Sequence, residues 1–176
     1  EPAQASALLA PFQPADQSLL SQEARLLRAT VLIAQDELSE AGDLLTGDPE
    51  PSVRPQQIHM LYLRAQLIAR NDKEKAIPLF RTIVEDPNPV PSLLRHSARV
   101  SLAGCLHETG KSEDAIETLI TLLDTHPRTA LLEATFHRLL DWASTESLRK
   151  RVENQLLSWV SFSAPGDTPP EPGGGE

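Results

Sequence analysis

The stretch Arg99-Val100-Ser101-Leu102-Ala103-Gly104-Cys105-Leu106-His107-Glu108-Thr109-Gly110, continued by Lys111-Ser112-Glu113-Asp114-Ala115-Ile116-Glu117-Thr118-Leu119, decides the fold. Leu102, Ala103 and Leu106 recur at helical spacing, Gly110 lets the chain reverse, and Ala115 and Leu119 begin a second apolar face one turn apart. Pro127 ends that second helix. The same order of residues occurs twice upstream. Met60-x-x-Leu63-Arg64-x-x-Leu67 is followed by Asn71, Lys75-Ala76-x-x-x-Phe80 and Pro87. Arg25-x-x-Arg28-Ala29-x-x-Leu32 is followed by Ser39-Glu40-Ala41-x-x-x-Leu45, with Pro49 and Pro51 after it. From Ala41 to Ala76 is 35 residues and from Ala76 to Ala115 is 39; the excess matches the insert Asn88-Pro89-Val90-Pro91.

The small residues have a physical reason. Alanine at 29 and 103 lets the two helices of a pair approach, and alanine at 41, 76 and 115 does so from the second helix. Leu45, Phe80 and Leu119 are placed to fill the seam to the next pair. A period of this length marks stacked helix–turn–helix units, each too small to bury its own apolar face.

The pattern resembles the tetratricopeptide repeat over about residues 22 to 127. The third segment fits it best. The first two lack the usual turn glycine, Arg28 stands in an apolar slot, and none of the three carries the family's large aromatic at its start. The resemblance implies an all-α, right-handed superhelix of about four antiparallel helix pairs. Repeats are expected at about 22–51, 57–88 and 96–128, with a degenerate or capping pair at 129–161. Helices are expected near 17–35, 37–46, 55–70, 73–86, 92–109, 112–125, 129–143 and 145–161. Ser92 and Thr129 read as N-caps and Gly110 as a C-terminal stop; Pro78 should kink its helix or delay its start. In the last pair Leu131, Leu132, Phe136, Leu139 and Leu140 form one apolar face, with Trp142 close by. Leu148, Val152, Leu156, Leu157 and Val160 form the other, beside Trp159.

Composition agrees with a helical domain. The 176 residues include 28 leucines and 19 alanines, and aromatics are only 4%. Collagen, a disulfide scaffold and a wholly disordered chain are excluded. The domain spans 16–162. Residues 1–15, with Pro2, Pro11 and Pro14, read as an N-terminal linker, and 163–176 as a disordered Pro/Gly-rich tail. Leu8, Leu9 and Phe12 form an apolar spot inside the linker.

The net charge of −9 falls to −5 once the one acid of residues 1–15 and the three of 163–176 are set aside. The only basic triplet, Arg149-Lys150-Arg151, is flanked by Glu146 and Glu153, which argues against nucleic acid as a partner. No apolar run is long enough to span a bilayer, so no membrane insertion is expected. The start at Glu1-Pro2-Ala3 and the linker-like ends favour an exported, periplasmic or membrane-tethered chain over a cytoplasmic one; an excised fragment would begin the same way.

A search for chemistry returns little. Cys105 is the only cysteine, so no intrachain disulfide forms. None of His59, His96, His107, His126 and His137 lies four residues from another, and His107-Glu108 lacks the second histidine of a zinc-protease helix. Cys105 reads as an inert core thiol. No phosphate-cradling glycine loop or Ca²⁺ loop is present. No catalytic, metal or cofactor site is expected, and the chain reads as a non-enzyme.

In tetratricopeptide proteins the first helices of successive repeats line a concave groove that takes a peptide or helix. Carried over by alignment, the groove is Leu26, Thr30 and Ile33, then Ile58, Leu61, Ala65 and Ile68, then Ser97, Val100, Gly104 and His107. Family members that clamp a C-terminal carboxylate use Lys and Asn there; Leu26, Thr30 and Ala65 do not match. The expectation is a protein–protein scaffold or assembly subunit holding an apolar helix or segment, from a partner or from the chain's own Leu8, Leu9 and Phe12. The alternatives are homo-oligomerisation through the C-terminal helix pair, with Trp142 or Trp159 at the interface, and, less favoured, an enzyme-associated subunit.

Overall fold

A computed structural model describes residues 19–47, 50–125 and 130–161. Among these the protein is all-helical, with eight helices and no strand. They are α1 (Leu19–Ala34), α2 (Leu38–Thr46), α3 (Arg54–Asn71), α4 (Lys73–Val84), α5 (Ser92–Glu108), α6 (Ser112–Thr125), α7 (Ala130–Trp142) and α8 (Glu146–Ser161). The periodic pattern anticipated every one within a few residues. The chain divides into two compact units, up to Thr118 and from Leu119 on, and the division falls inside α6. The expected tails 1–15 and 163–176 and the expected cap at Thr129 lie outside the described residues.

In the first unit the helices pack in sequence. Arg25 near the start of α1 reaches Leu44 and Gly47 at the end of α2, so these two run antiparallel. Arg54 at the start of α3 pairs with Asp86 just past α4, and Lys73 at the start of α4 pairs with Glu108 at the end of α5 (2.9 Å). The same alternation therefore continues. α3 packs on α1 as well as on α2, and α5 on α3 as well as on α4. The core between the first pair and α3 holds Leu26, Ala29, Leu32 and Ile33 with Ala41 and Leu45, closed by Met60 and Leu63. The alanines of the repeat sit where close approach requires them: Ala29, Ala41, Ala76, Ala103 and Ala115 are all fully buried.

The turns inside the pairs use three solutions. After α5, Gly110 takes φ +82°, Lys111 N–H donates to Leu106 C=O (2.8 Å) and Gly110 N–H to His107 C=O (3.0 Å). This is the Schellman close of a helix, and it bears out Gly110 as a stop. After α1 the same geometry recurs with Asp36 at φ +65°: Glu37 N–H donates to Leu32 C=O (2.9 Å) and Asp36 N–H to Ile33 C=O (3.2 Å). Asp36 thus fills the glycine slot that the first segment appeared to lack, since a short polar side chain tolerates the left-handed region better than most. The second turn needs no left-handed residue. Asp72 donates its N–H to Ile68 C=O (2.8 Å), ending α3, and its side chain accepts Lys75 N–H (3.1 Å), starting α4. One residue performs both tasks.

One local expectation is corrected, and one of the two effects expected of Pro78 is removed. Ser92 is the first residue of α5 rather than its cap; Pro91 holds that position and no side-chain cap forms. Pro78 does not delay α4, which starts five residues earlier at Lys73. The Asp72 cap nucleates the helix upstream, and the carbonyl bond that Pro78 forgoes belongs to the exposed Glu74.

In the second unit α7 and α8 pack on each other. Leu139, Ala143 and Val152 are buried, Leu148 and Trp142 half-buried. Leu157, expected on the inner face, is 63% exposed. The side chains of Leu131, Leu132, Phe136, Leu156, Trp159 and Val160 lie outside the described residues.

Candidate functional site

The candidate surface is the outer side of the first helices α1, α3 and α5. What each helix leaves open follows from how it is packed. α3 is covered on two sides. Met60 and Leu63 close the first core, whereas Ile58 and Ala65, nearly opposite around the helix, are also buried. Leu61 and Ile68, two turns apart on one side, remain half-buried and exposed respectively. On α5, Val100 and His107 have the same two-turn spacing and are both half-buried, with Gly104 between them and Ser97 one turn before Val100 in the stripe. Leu93, at the start of α5, is exposed.

The groove residues expected from alignment therefore separate. Thr30, Leu61, Ile68, Val100 and His107 reach solvent to some degree. Leu26, Ile33, Ile58 and Ala65 are buried among the helices and belong to the packing. On α1 the alignment falls beside the open side: Leu26 turns inward and Leu27, the next residue, turns outward. Thr30 spends its hydroxyl on Leu26 C=O (2.9 Å). Leu20, Leu27 and Leu93 are exposed apolar residues that the alignment did not select. The signal available for Leu20 and Leu27 was their seven-residue spacing on the side of α1 opposite Arg25 and Leu32.

Electrostatics add detail. His107 Nδ1 meets Ser112 Oγ at 3.1 Å, which ties the end of α5 to the start of α6. On α3, His59 is half-buried; burial lowers its pKa, partly opposed by the charge of Glu23 on α1. Cys105 is buried, and burial pushes its thiol up, with Glu108 adding to the effect and Lys73 opposing it. That is the reverse of what an activated thiolate requires. Among the described residues no group of three His, Cys, Asp or Glu side chains is placed to hold a metal ion. No described helix is long and apolar enough to cross a membrane.

Guanidinium groups dominate the polar contacts, a feature that sequence reading missed. Arg25 is 4% exposed and donates to Leu44 C=O (2.5 Å), to Gly47 C=O and to Gln22 Oε1 (3.4 Å). Arg64 donates to Leu45 C=O at 2.9 and 2.6 Å and pairs with Glu50 at 2.5 Å. Arg95 donates to Asp86 C=O (2.7 Å) and Asn88 C=O (3.0 Å). These arginines satisfy carbonyls at and just beyond the ends of second helices. The segment start that lacks the family's aromatic is, at Arg25, the anchor of α2.

No protein-family model matches this chain, and no curated protein or solved structure does so either.

Proposed function

We propose that the chain is a non-catalytic protein–protein interaction scaffold or assembly subunit of tetratricopeptide-like design. Its helix pairs stack as a right-handed superhelix and hold an apolar peptide or helix along the first helices. The observation that carries this reading is the open apolar side of α3 and α5. Leu61, Ile68, Leu93 and Val100 all retain exposed surface, Leu93 being 70% and Ile68 36% exposed. Exposed apolar surface repeated on successive first helices suits an amphipathic helix or extended segment whose apolar side chains follow helical spacing.

The groove's accessible members are Thr30, Leu61, Ile68, Val100 and His107, extended by Leu93. Comparing the wild type with Leu61→Glu/Ile68→Glu in a pull-down from native extract tests the reading, after circular dichroism shows the variant still helical. A partner that binds the wild type alone supports the groove. A partner retained by both moves recognition to another face and sinks the groove.

A second reading rests on Leu157 of α8, which is exposed, and on Trp142 of α7, which is half-buried. Homo-oligomerisation through this pair would cover it. Light scattering over a wide concentration range separates the two, since a constant monomer removes the oligomer.

A further inference from the structure

The two helices that carry the groove are basic in an acidic chain. α3 has Arg54, Arg64 and Arg70 and no acid, and α5 has Arg95 and Arg99 against the single Glu108 at its end. Together they hold four net positive charges, whereas the whole chain is −9. By contrast, α2 carries Glu40 and Asp43 and no base, and α6 carries Glu113, Asp114, Glu117 and Asp124 and no base. Every fixed cation on α3 and α5 is an arginine. Guanidinium is the cation that meets a carboxylate through two parallel hydrogen bonds, which suits it to recognition at an interface.

Two of these arginines stand in or beside the apolar stripe. Arg54, Leu61 and Ile68 follow one another at seven-residue steps and share one side of α3. Arg64 lies three residues after Leu61 and four before Ile68 and borders the same side. The side chains of Arg54 and Arg64 are 50% and 33% exposed. On α5, Leu93, Val100 and His107 repeat the same steps. The starts of the two stripes converge on one residue. Arg54 pairs with the Asp86 carboxylate, and Arg95, two residues after Leu93, donates to Asp86 C=O (2.7 Å).

The acids that face these arginines differ. Asp86 is buried, whereas Glu50, in the segment before α3, is 58% exposed. An exposed ion pair of the second kind contributes at most about 1 kcal/mol. Arg64 holds Leu45 C=O through Nε and Nη2, bonds that do not depend on Glu50. An incoming carboxylate therefore replaces Glu50 at little cost and leaves the tie between α3 and α2 in place.

We propose that the occupant of the groove is an acidic amphipathic helix. Its apolar side chains cover Leu61, Ile68 and Val100, and side-chain carboxylates along its edge meet Arg54 and Arg64. This inference rests on the groove reading above and adds the charge of the partner. From Arg54 to Arg64 is ten residues, about 15 Å along α3, so the matching carboxylates lie about three turns apart on the occupant.

Three labelled peptides with amidated C-termini, titrated into the full chain, test it. All share leucines at helical spacing and differ only at two flanking positions about three turns apart, filled by Glu, Gln or Lys. The Glu peptide should bind roughly tenfold more tightly than the Lys peptide, with the Gln peptide between them. Glu50→Gln removes the resident carboxylate from an exposed site and should tighten the Glu peptide several-fold without tightening the other two. Arg64→Gln should bring the affinities of the Glu and Gln peptides together. A Gln or Lys peptide that binds as tightly as the Glu peptide would overturn the acidic occupant and leave the groove standing. So would a Glu50→Gln variant that leaves the Glu peptide unmoved. If no peptide binds, or if Leu61→Glu/Ile68→Glu leaves all binding unchanged, the groove itself fails, and the acidic occupant with it.

Discussion

The two junctions between helix pairs in the first unit perform one task by different chemistry. Each must end a second helix and pin the following pair. At the first junction the end of α2 lies between two guanidiniums, Arg25 from α1 on Leu44 and Gly47, and Arg64 from α3 on Leu45. At the second, the buried carboxylate of Asp86 takes Arg54 of α3 on Oδ2 and both N–H groups of Asn88 on Oδ1 (2.9 Å each). Arg95 of α5 meanwhile holds the backbone carbonyls of Asp86 and Asn88. Carbonyls do not titrate, and guanidinium keeps its proton at any ordinary pH. The carboxylate at the first junction, Glu50 on Arg64, is exposed, whereas the second junction is built around a buried carboxylate that acid can neutralise. The four-residue insert Asn88–Pro91 enlarges the repeat at this same place, and Asp86 organises the loop that contains it.

The largest effect should come from breaking the first junction. Arg25→Ala removes a buried cation and leaves the carbonyls of Leu44 and Gly47 without their donors. Each orphaned acceptor costs about 1–3 kcal/mol, so a loss of about 3 kcal/mol is expected. Arg64→Ala should cost less, about 1 kcal/mol, because Arg64 is only half-buried and its carboxylate partner Glu50 is exposed. Urea unfolding of both variants measures the difference. Equal losses would mean that Arg25 is not the anchor of the pair.

Acid should act on the second junction first. Hydrogen bonds from Asn88, joined by Arg54, hold the Asp86 carboxyl below its ordinary value of 3.8. As pH falls the unfolded chain takes up this proton before the folded one does. The contribution is therefore complete above 3.8 and is lost as pH falls through the folded value. Asp86→Asn should lower stability at neutral pH and flatten the acid limb of the pH–stability curve. Hydrogen exchange at pH 3 should show the 86–95 region opening ahead of the end of α2. Simultaneous opening of both would erase the distinction.

How much of this was legible in the sequence depends on the distance over which each feature acts. The helices and their breaks follow from local periodicity and prolines, and the fully buried Ala41, Ala76 and Ala115 were marked by their recurrence. Arg25 was not legible as an anchor. Its partners lie 19 and 22 residues away, and nothing local distinguishes it from a surface arginine. The groove residues were legible as slots but not as exposure. Ile58 and Ala65 are buried because α3 is packed on both of its sides, a consequence of the stack and not of the helix. Asp36 was hidden by a rule that looks for glycine where only the left-handed backbone is required.

The turns convert that last point into a smaller effect. Asp36 and Gly110 close helices by the same two hydrogen bonds. Glycine has no penalty at positive φ, whereas aspartate retains part of it. Gly110→Ala should cost about 1 kcal/mol, and Asp36→Gly should be neutral or stabilise by up to about 1 kcal/mol, since added flexibility in the unfolded chain offsets part of the gain. Thermal melts of the two variants give the signs. Destabilisation by Asp36→Gly would show that the Asp36 side chain contributes more than its backbone conformation.

The smallest effect lies between the first two pairs, away from their junction. His59 of α3 is desolvated, which lowers its pKa more than the charge of Glu23 on α1 raises it. Just below pH 6.5 the unfolded chain thus binds a proton that the folded chain resists. Stability should rise with pH across that interval and be complete above 6.5, well clear of the range in which Asp86 titrates. His59→Gln should remove this shallow slope while leaving the acid limb of Asp86 intact. Were the slope to survive in His59→Gln, the neutral-range titration would belong to another histidine. The contact of α1 with α3 would then be as indifferent to pH as the guanidinium clamp at the end of α2.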